Sequence, residues 1–167
     1  MVMDFERRLK LLEDDRAIRD LKARYLRAAD SKDVEGIRGC FVPDAIIDFE
    51  GFPRFEARDP FVAIYQQMAC VPGIFDIHHG ANGIIKFDDD ENASGQWSLL
   101  FHNINLEART LTQMGVEYED AYVKGSDGSW RIAETRSRRT SALVHSVADN
   151  GQPSVIVMGA MTTDFGS

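Results

Sequence analysis

Residues 75–87, FDIHHGANGIIKF, set His78 and His79 side by side between a turn-rich break and an apolar run. In a strand the two imidazoles point to opposite faces, so one of them enters the interior. Gly80 and Gly83 permit a bulge close by, and alternation alone leaves open which histidine that is. An inward imidazole is either a satisfied core side chain or a proton-transfer group that titrates near neutrality.

Asp30 is the acid that suits such a partner. It closes the stretch YLRAAD at the end of an amphipathic segment. As an exposed acid it would only start the turn into SKD. Tucked against a sheet it needs a partner, because an unpaired buried carboxylate is costly. An imidazole meets that need, since a carboxylate on one ring nitrogen fixes the tautomer and raises the basicity of the other. Tyr25 lies five residues before Asp30, off its helical stripe, and reads as a core-edge aromatic or a phenol donor. In RIAETRSRRT, alternation sends at least one of Arg136, Arg138 and Arg139 inward, and which one stays open. A guanidinium beside an enclosed space clamps an oxyanion or carboxylate, while the others are solvated.

The sequence has no Gly-rich phosphate loop, nucleophile elbow, HExxH helix or zinc-ligand spacing. The acidic run Asp88–Glu91 fits a hairpin tip, because no glycine and distal glutamate follow in a calcium-loop pattern. The expected chemistry is acid–base work without metal or cofactor.

The elements that must position these residues follow from periodicity. Phe5, Leu9, Leu12, Ile18, Leu21, Tyr25 and Ala28 recur at helical spacing, predicting one helix over residues 4–31 with a single face toward a core. A short second helix should stop near Pro43, followed by a strand in AIIDFEG. ARDPFVAIYQQMAC predicts a third helix, with Asp59 as N-cap and Pro60 at the first helical position. From residue 74 onward, four stretches rich in aromatic and β-branched residues read as an antiparallel meander, with GSDGS as its tight turn. Helices followed by strands give an α+β domain.

At 167 residues the chain suits one domain. A net charge of −8 argues against nucleic acid or an anionic membrane as partner. The charged N-terminus is unlike a signal peptide, so a cytoplasmic location is expected, with Cys40 and Cys70 as free thiols. The domain is expected to span 1–143. Residues 144–167, weakly periodic, are expected to be a tail that packs over the interior or a neighbouring subunit.

Three stretches, RAIRDLKARYLRAADSKDVEGIRGCFVPDA, IHHGAN and GSWRIAETRSRRT, carry a resemblance over residues 8–143 to the SnoaL-like group of the nuclear transport factor 2-like superfamily. Its dehydratase branch includes scytalone dehydratase, bile-acid 7α-dehydratase and the γ-hexachlorocyclohexane dehydrochlorinase. The resemblance implies a cone-shaped α+β barrel, with a curved antiparallel sheet wrapped around N-terminal helices and an apolar cavity. It places the helix-end acid on Asp30 and the sheet-opening histidine on His78, which then faces inward. The bile-acid dehydratase pattern adds Tyr25 and Arg139, and His102 falls near the second histidine of scytalone dehydratase. The tyrosines that hold scytalone are replaced here by Ala29 and Phe49. The implied activity is a cofactor-free dehydratase acting on a cyclic or polycyclic apolar substrate. An isomerase or polyketide-type cyclase with the same pair is the near alternative. A binding protein or the small subunit of a ring-hydroxylating dioxygenase is the distant one. A homotrimer, or a dimer, is the implied assembly.

Overall fold

The structure is a computed structural model and describes residues 4–159. Its first helix, α1, spans Phe5–Ser31; Asp4 caps it by accepting from the Arg7 N–H at 2.8 Å. Ile18, Leu21, Tyr25 and Leu26 form its buried face. The helix ends at Lys32, whose left-handed backbone (φ 61°) returns its N–H to the carbonyls of Ala28 and Ala29. Asp33 then caps α2, Val34–Cys40, through the Gly36 N–H.

Strand β1 spans Phe41–Phe49 and contains Pro43. The proline lies in the Phe41–Ile46 interval where the β1–β5 register slips, the place for a residue without an N–H. Helix α3, Arg58–Ala69, corrects the expected cap: Ala57 holds the N-cap position with no side-chain bond. Asp59 sits inside the first turn, where Arg38 and Arg58 engage its carboxylate.

Four long strands follow: β2 Ile74–Phe87, β3 Asn92–Asn105, β4 Thr110–Lys124 and β5 Trp130–Val147. The sheet order is β1-β5-β4-β3-β2. β2 to β5 pair antiparallel, whereas β1 runs parallel to β5, so the sheet is mixed and does not close. It curves around the helices as an open cone. Residues beyond 143 complete β5 and then form β6, Pro153–Gly159, which pairs antiparallel with the second half of β5. The sheet edge thus extends past the expected boundary, because Val144, Val155 and Val157 supply branched residues for pairing. Residues 160–167 of the expected tail lie outside the described residues.

The core fills the concave side, with Phe41, Ile47, Leu99, Val116 and Ile132 from the strands against Ile18 and Leu21. No helix among the described residues is long and apolar enough to cross a membrane.

Candidate active site

Three contacts dock α1 along β2. The Arg19 guanidinium donates to the Gly83 carbonyl at 3.1 Å. Leu26 lies so close to Gly80 that a Cβ there would sit 2.7 Å from its Cδ1. One turn on, Asp30 meets His78. Gly80 thus makes room for the helix and Gly83 for the Trp97 ring, and the bulge falls between Ala81 and Ile84, after the histidine pair. Alternation consequently holds through the pair itself, with His78 facing in and His79 out.

The Asp30 carboxylate accepts the backbone N–H of His78 at 3.0 and 3.2 Å, and its Oδ1 lies 2.6 Å from the ring Nδ1. A carboxylate only accepts, so Nδ1 carries a hydrogen, and in the neutral ring Nε2 then keeps its lone pair. The ring packs on Phe101 with centroids 4.8 Å apart. His78 lines a cavity of about 360 Å³ on the concave side, within the range of small-molecule sites. Its walls are largely apolar: Phe49, Phe52, Phe55, Phe61 and Ile64 face Leu99, Phe101, Met114 and Val116.

Tyr25 and Arg139 line the same cavity, so three of the four principal candidates reach it and Asp30 stands behind the imidazole. Burial, with nearby Tyr118 and Asp120 adding to it, pushes the Tyr25 phenol well above its ordinary pKa. Tyr25 therefore stays a donor. Arg139 is placed by the β1–α3 connection: its N–H donates to the Glu50 carboxylate at 2.8 Å, and its Nη2 occupies the space a Gly51 Cβ would need. Thr135, Ser137 and Arg139 alternate inward along β5, while Arg136 and Arg138 border an outer groove with Glu117 and Glu119.

His102 does not reach the cavity. It pairs with Ile77 and lies on the outer face with His79, Leu100 and Leu143. Tyr118 of β4 also lines the cavity, beside Phe49 and Leu99. Trp97 of β3 donates its indole N–H to Tyr122 within the core.

Two polar features were not foreseen. Asp76 and Asn103 border the cavity on the His78 side; Asn103 donates to Asp76 at 2.7 Å and Lys32 pairs with the same carboxylate. Deeper in the cone lies a buried ion pair, the Lys22 Nζ 2.7 Å from Asp120, with Thr135 and Tyr122 also donating to that carboxylate. The alternation Tyr118, Asp120, Tyr122 in VEYEDAY was its signal in the sequence: an acid between two aromatics at period two faces the core with them. Among the described residues, no three of His, Cys, Asp and Glu converge as metal donors.

Residues 10–136 match the SnoaL-like domain family. The chain belongs to that family. The SnoaL-like fold extends to solved structures at low identity. A scytalone dehydratase-like protein from Novosphingobium aromaticivorans superposes with a TM-score of 0.73 at 22% identity, covering 80% of this chain and 88% of that one. The type 3 hexachlorocyclohexane dehydrochlorinase LinA of Novosphingobium barchaimii gives 0.71 at 18% identity, covering 92% and 98%. A Mycobacterium tuberculosis protein of unknown function gives 0.67 at 25% identity, covering 77% and 73%. These likenesses place the SnoaL-like chain in the nuclear transport factor 2-like fold.

Proposed function

We propose that this SnoaL-like protein is a cofactor-free dehydratase acting on a cyclic, largely apolar hydroxy ketone. One observation carries the reading: an imidazole fixed by a carboxylate at 2.6 Å, with its other nitrogen left to an apolar cavity. That arrangement makes a general base that is oriented before substrate arrives.

His78 Nε2 takes the proton from the carbon next to the carbonyl. The electron pair moves to the carbonyl oxygen, where Tyr25 and Arg139 donate hydrogen bonds to the developing enolate. Asp30 holds the ring and balances the imidazolium. The enolate then re-forms the carbonyl and expels the β-hydroxyl, which takes the proton from His78 and leaves as water. Proton and hydroxyl depart together, and a conjugated enone remains. A positioned acid–base group contributes about 10²–10⁴-fold in rate. Oxyanion donors and a dry cavity supply further acceleration.

The test is a panel of cyclic β-hydroxy ketones, with enone absorbance as the readout. The native protein forms enone, and His78→Ala does so only at the background rate while keeping the native circular dichroism spectrum. An active His78→Ala variant overturns the assignment of the base. Exchange of the α-proton with deuterated solvent, with no enone formed, overturns the dehydratase reading in favour of an isomerase or cyclase.

A further inference from the structure

The chain has four tyrosines, and their hydroxyls divide into two kinds. Tyr65 donates to the Ala29 carbonyl at 2.7 Å. Tyr122 donates to Asp120 at 2.7 Å and accepts from the Trp97 indole at 2.8 Å. Tyr25 and Tyr118 are just as deeply placed, 5% and 7% exposed, yet neither hydroxyl bonds a protein group among the described residues. Neither oxygen is sealed off in the protein interior, so both open to the cavity that their residues line. Buried phenols ordinarily find a partner, and two unspent ones in a single cavity reserve their donors for something that enters it.

Both rings also attend the same cation. The Lys22 ammonium sits 3.9 Å from the Tyr118 ring centroid and 5.6 Å from that of Tyr25. A positive charge over a phenol ring favours negative charge gathering at its hydroxyl end, which strengthens the O–H as a donor. Tyr118 is fixed besides by Phe49, whose ring packs edge-on with centroids 5.7 Å apart. On the inner face of the sheet, Tyr118 lies opposite Ser137 and Arg139 opposite Val116, so the phenol and the guanidinium are diagonal neighbours.

We propose that Tyr118 is a third oxyanion donor, which joins Tyr25 and Arg139 at one substrate oxygen, and that the site therefore takes a ketone-derived enolate in preference to an organohalide. This deepens the dehydratase reading and rests on it for the reaction. The developing enolate oxygen carries three lone pairs, enough for both phenols and the guanidinium, and these bonds strengthen as charge develops there. A carbon–halogen bond offers no comparable acceptor and would leave both donors unspent. Burial keeps both phenols protonated, so the clamp persists across the neutral range.

The probe is 4-nitrophenol, whose bound phenolate reports through its yellow absorbance, with 4-nitroanisole as the matched ligand that cannot ionise. The native protein should bind the phenolate more tightly than the anisole. Tyr118→Phe should weaken phenolate binding by about 10- to 100-fold, as expected for one hydrogen bond to a charged group. The same variant should leave anisole binding and the urea midpoint unchanged, since the hydroxyl bonds nothing in the protein. Equal phenolate affinity in native and Tyr118→Phe protein overturns the proposal, and so does absence of any preference for phenolate over anisole. Binding of this probe requires no turnover. Phenolate binding that is indifferent to Tyr118→Phe while His78-dependent enone formation is intact refutes Tyr118 alone, and Tyr118-dependent phenolate binding with no enone formed refutes the dehydratase reading alone.

Discussion

The Asp30 carboxylate holds His78 twice, by its backbone N–H at 3.0 Å and by its ring nitrogen at 2.6 Å. One acid thereby fixes both the strand and the side chain it carries. The backbone bond ties the end of α1 to β2, and the ring bond selects the tautomer with Nε2 left to the cavity. Asparagine at position 30 can still accept the backbone N–H but presents an N–H₂ or a weaker acceptor to the ring. Asp30→Asn should lower kcat by about 10²–10⁴-fold, the contribution of a positioned acid–base group. Steady-state assays on a cyclic β-hydroxy ketone should show that fall with KM little changed.

The Lys22–Asp120 pair should be costly to break from one side. Both side chains are almost fully buried, at 2% and 0% exposure. Burial lowers the Lys22 pKa, opposed by the Asp120 charge and hydrogen bond. Lys22→Met removes the cation and leaves a buried carboxylate with only Thr135 and Tyr122 as donors. The expected loss is about 3–5 kcal/mol in urea unfolding. A loss below about 1 kcal/mol, the scale of an exposed pair, would mean that the pair is solvated.

Gly51 holds a left-handed backbone at φ 89°, and a Cβ there would lie 2.8 Å from the Arg139 Nη2. Gly51→Ala should therefore do two things. It strains the turn by about 1–3 kcal/mol, and it displaces the guanidinium from the cavity wall. Thermal unfolding should register the first effect, and a fall in kcat for the ketone substrate the second.

All four tyrosines are raised above their ordinary pKa, with burial the largest cause in each. The sign follows from linkage. Above the unfolded value of about 10, the unfolded chain sheds phenol protons that the folded chain retains. Stability is therefore complete below that value and falls as pH rises past it. Spectrophotometric titration should show tyrosinate appearing together with unfolding, in one cooperative step. A tyrosinate signal near pH 10 from protein that is still folded would contradict the burial of at least one phenol.

Periodicity made α1 and the strand meander legible, but only the second half of the helix's expected apolar face is buried, from Ile18 on, while Phe5, Leu9 and Leu12 are exposed. The Asp30–His78 contact was foreseen only through the family resemblance that the helix-end acid and the IHHGAN stretch carry, since alternation alone left the choice of histidine open. Helix α3 was placed well, but its cap was not: Asp59 resembles an N-cap until Arg38, 21 residues away, takes its carboxylate. The parallel β1–β5 pairing could not be read from β1 itself, since its partner lies almost ninety residues on. His102 was misplaced for a related reason. Neighbouring residues on one strand face opposite ways, and Phe101, not His102, has the inward position. Lys22 was hidden among the charges of α1, and only Asp120, 98 residues later, shows that this lysine is buried.

The most direct measurement is the nitrogen-15 NMR spectrum of the neutral His78 imidazole in the native protein, assigned with His78→Gln. The structure predicts a protonated Nδ1, held by Asp30, and an unprotonated Nε2, with the preference for that tautomer lost in Asp30→Asn. A hydrogen on Nε2 in the neutral ring would contradict it, because no lone pair would then face the cavity to take a proton.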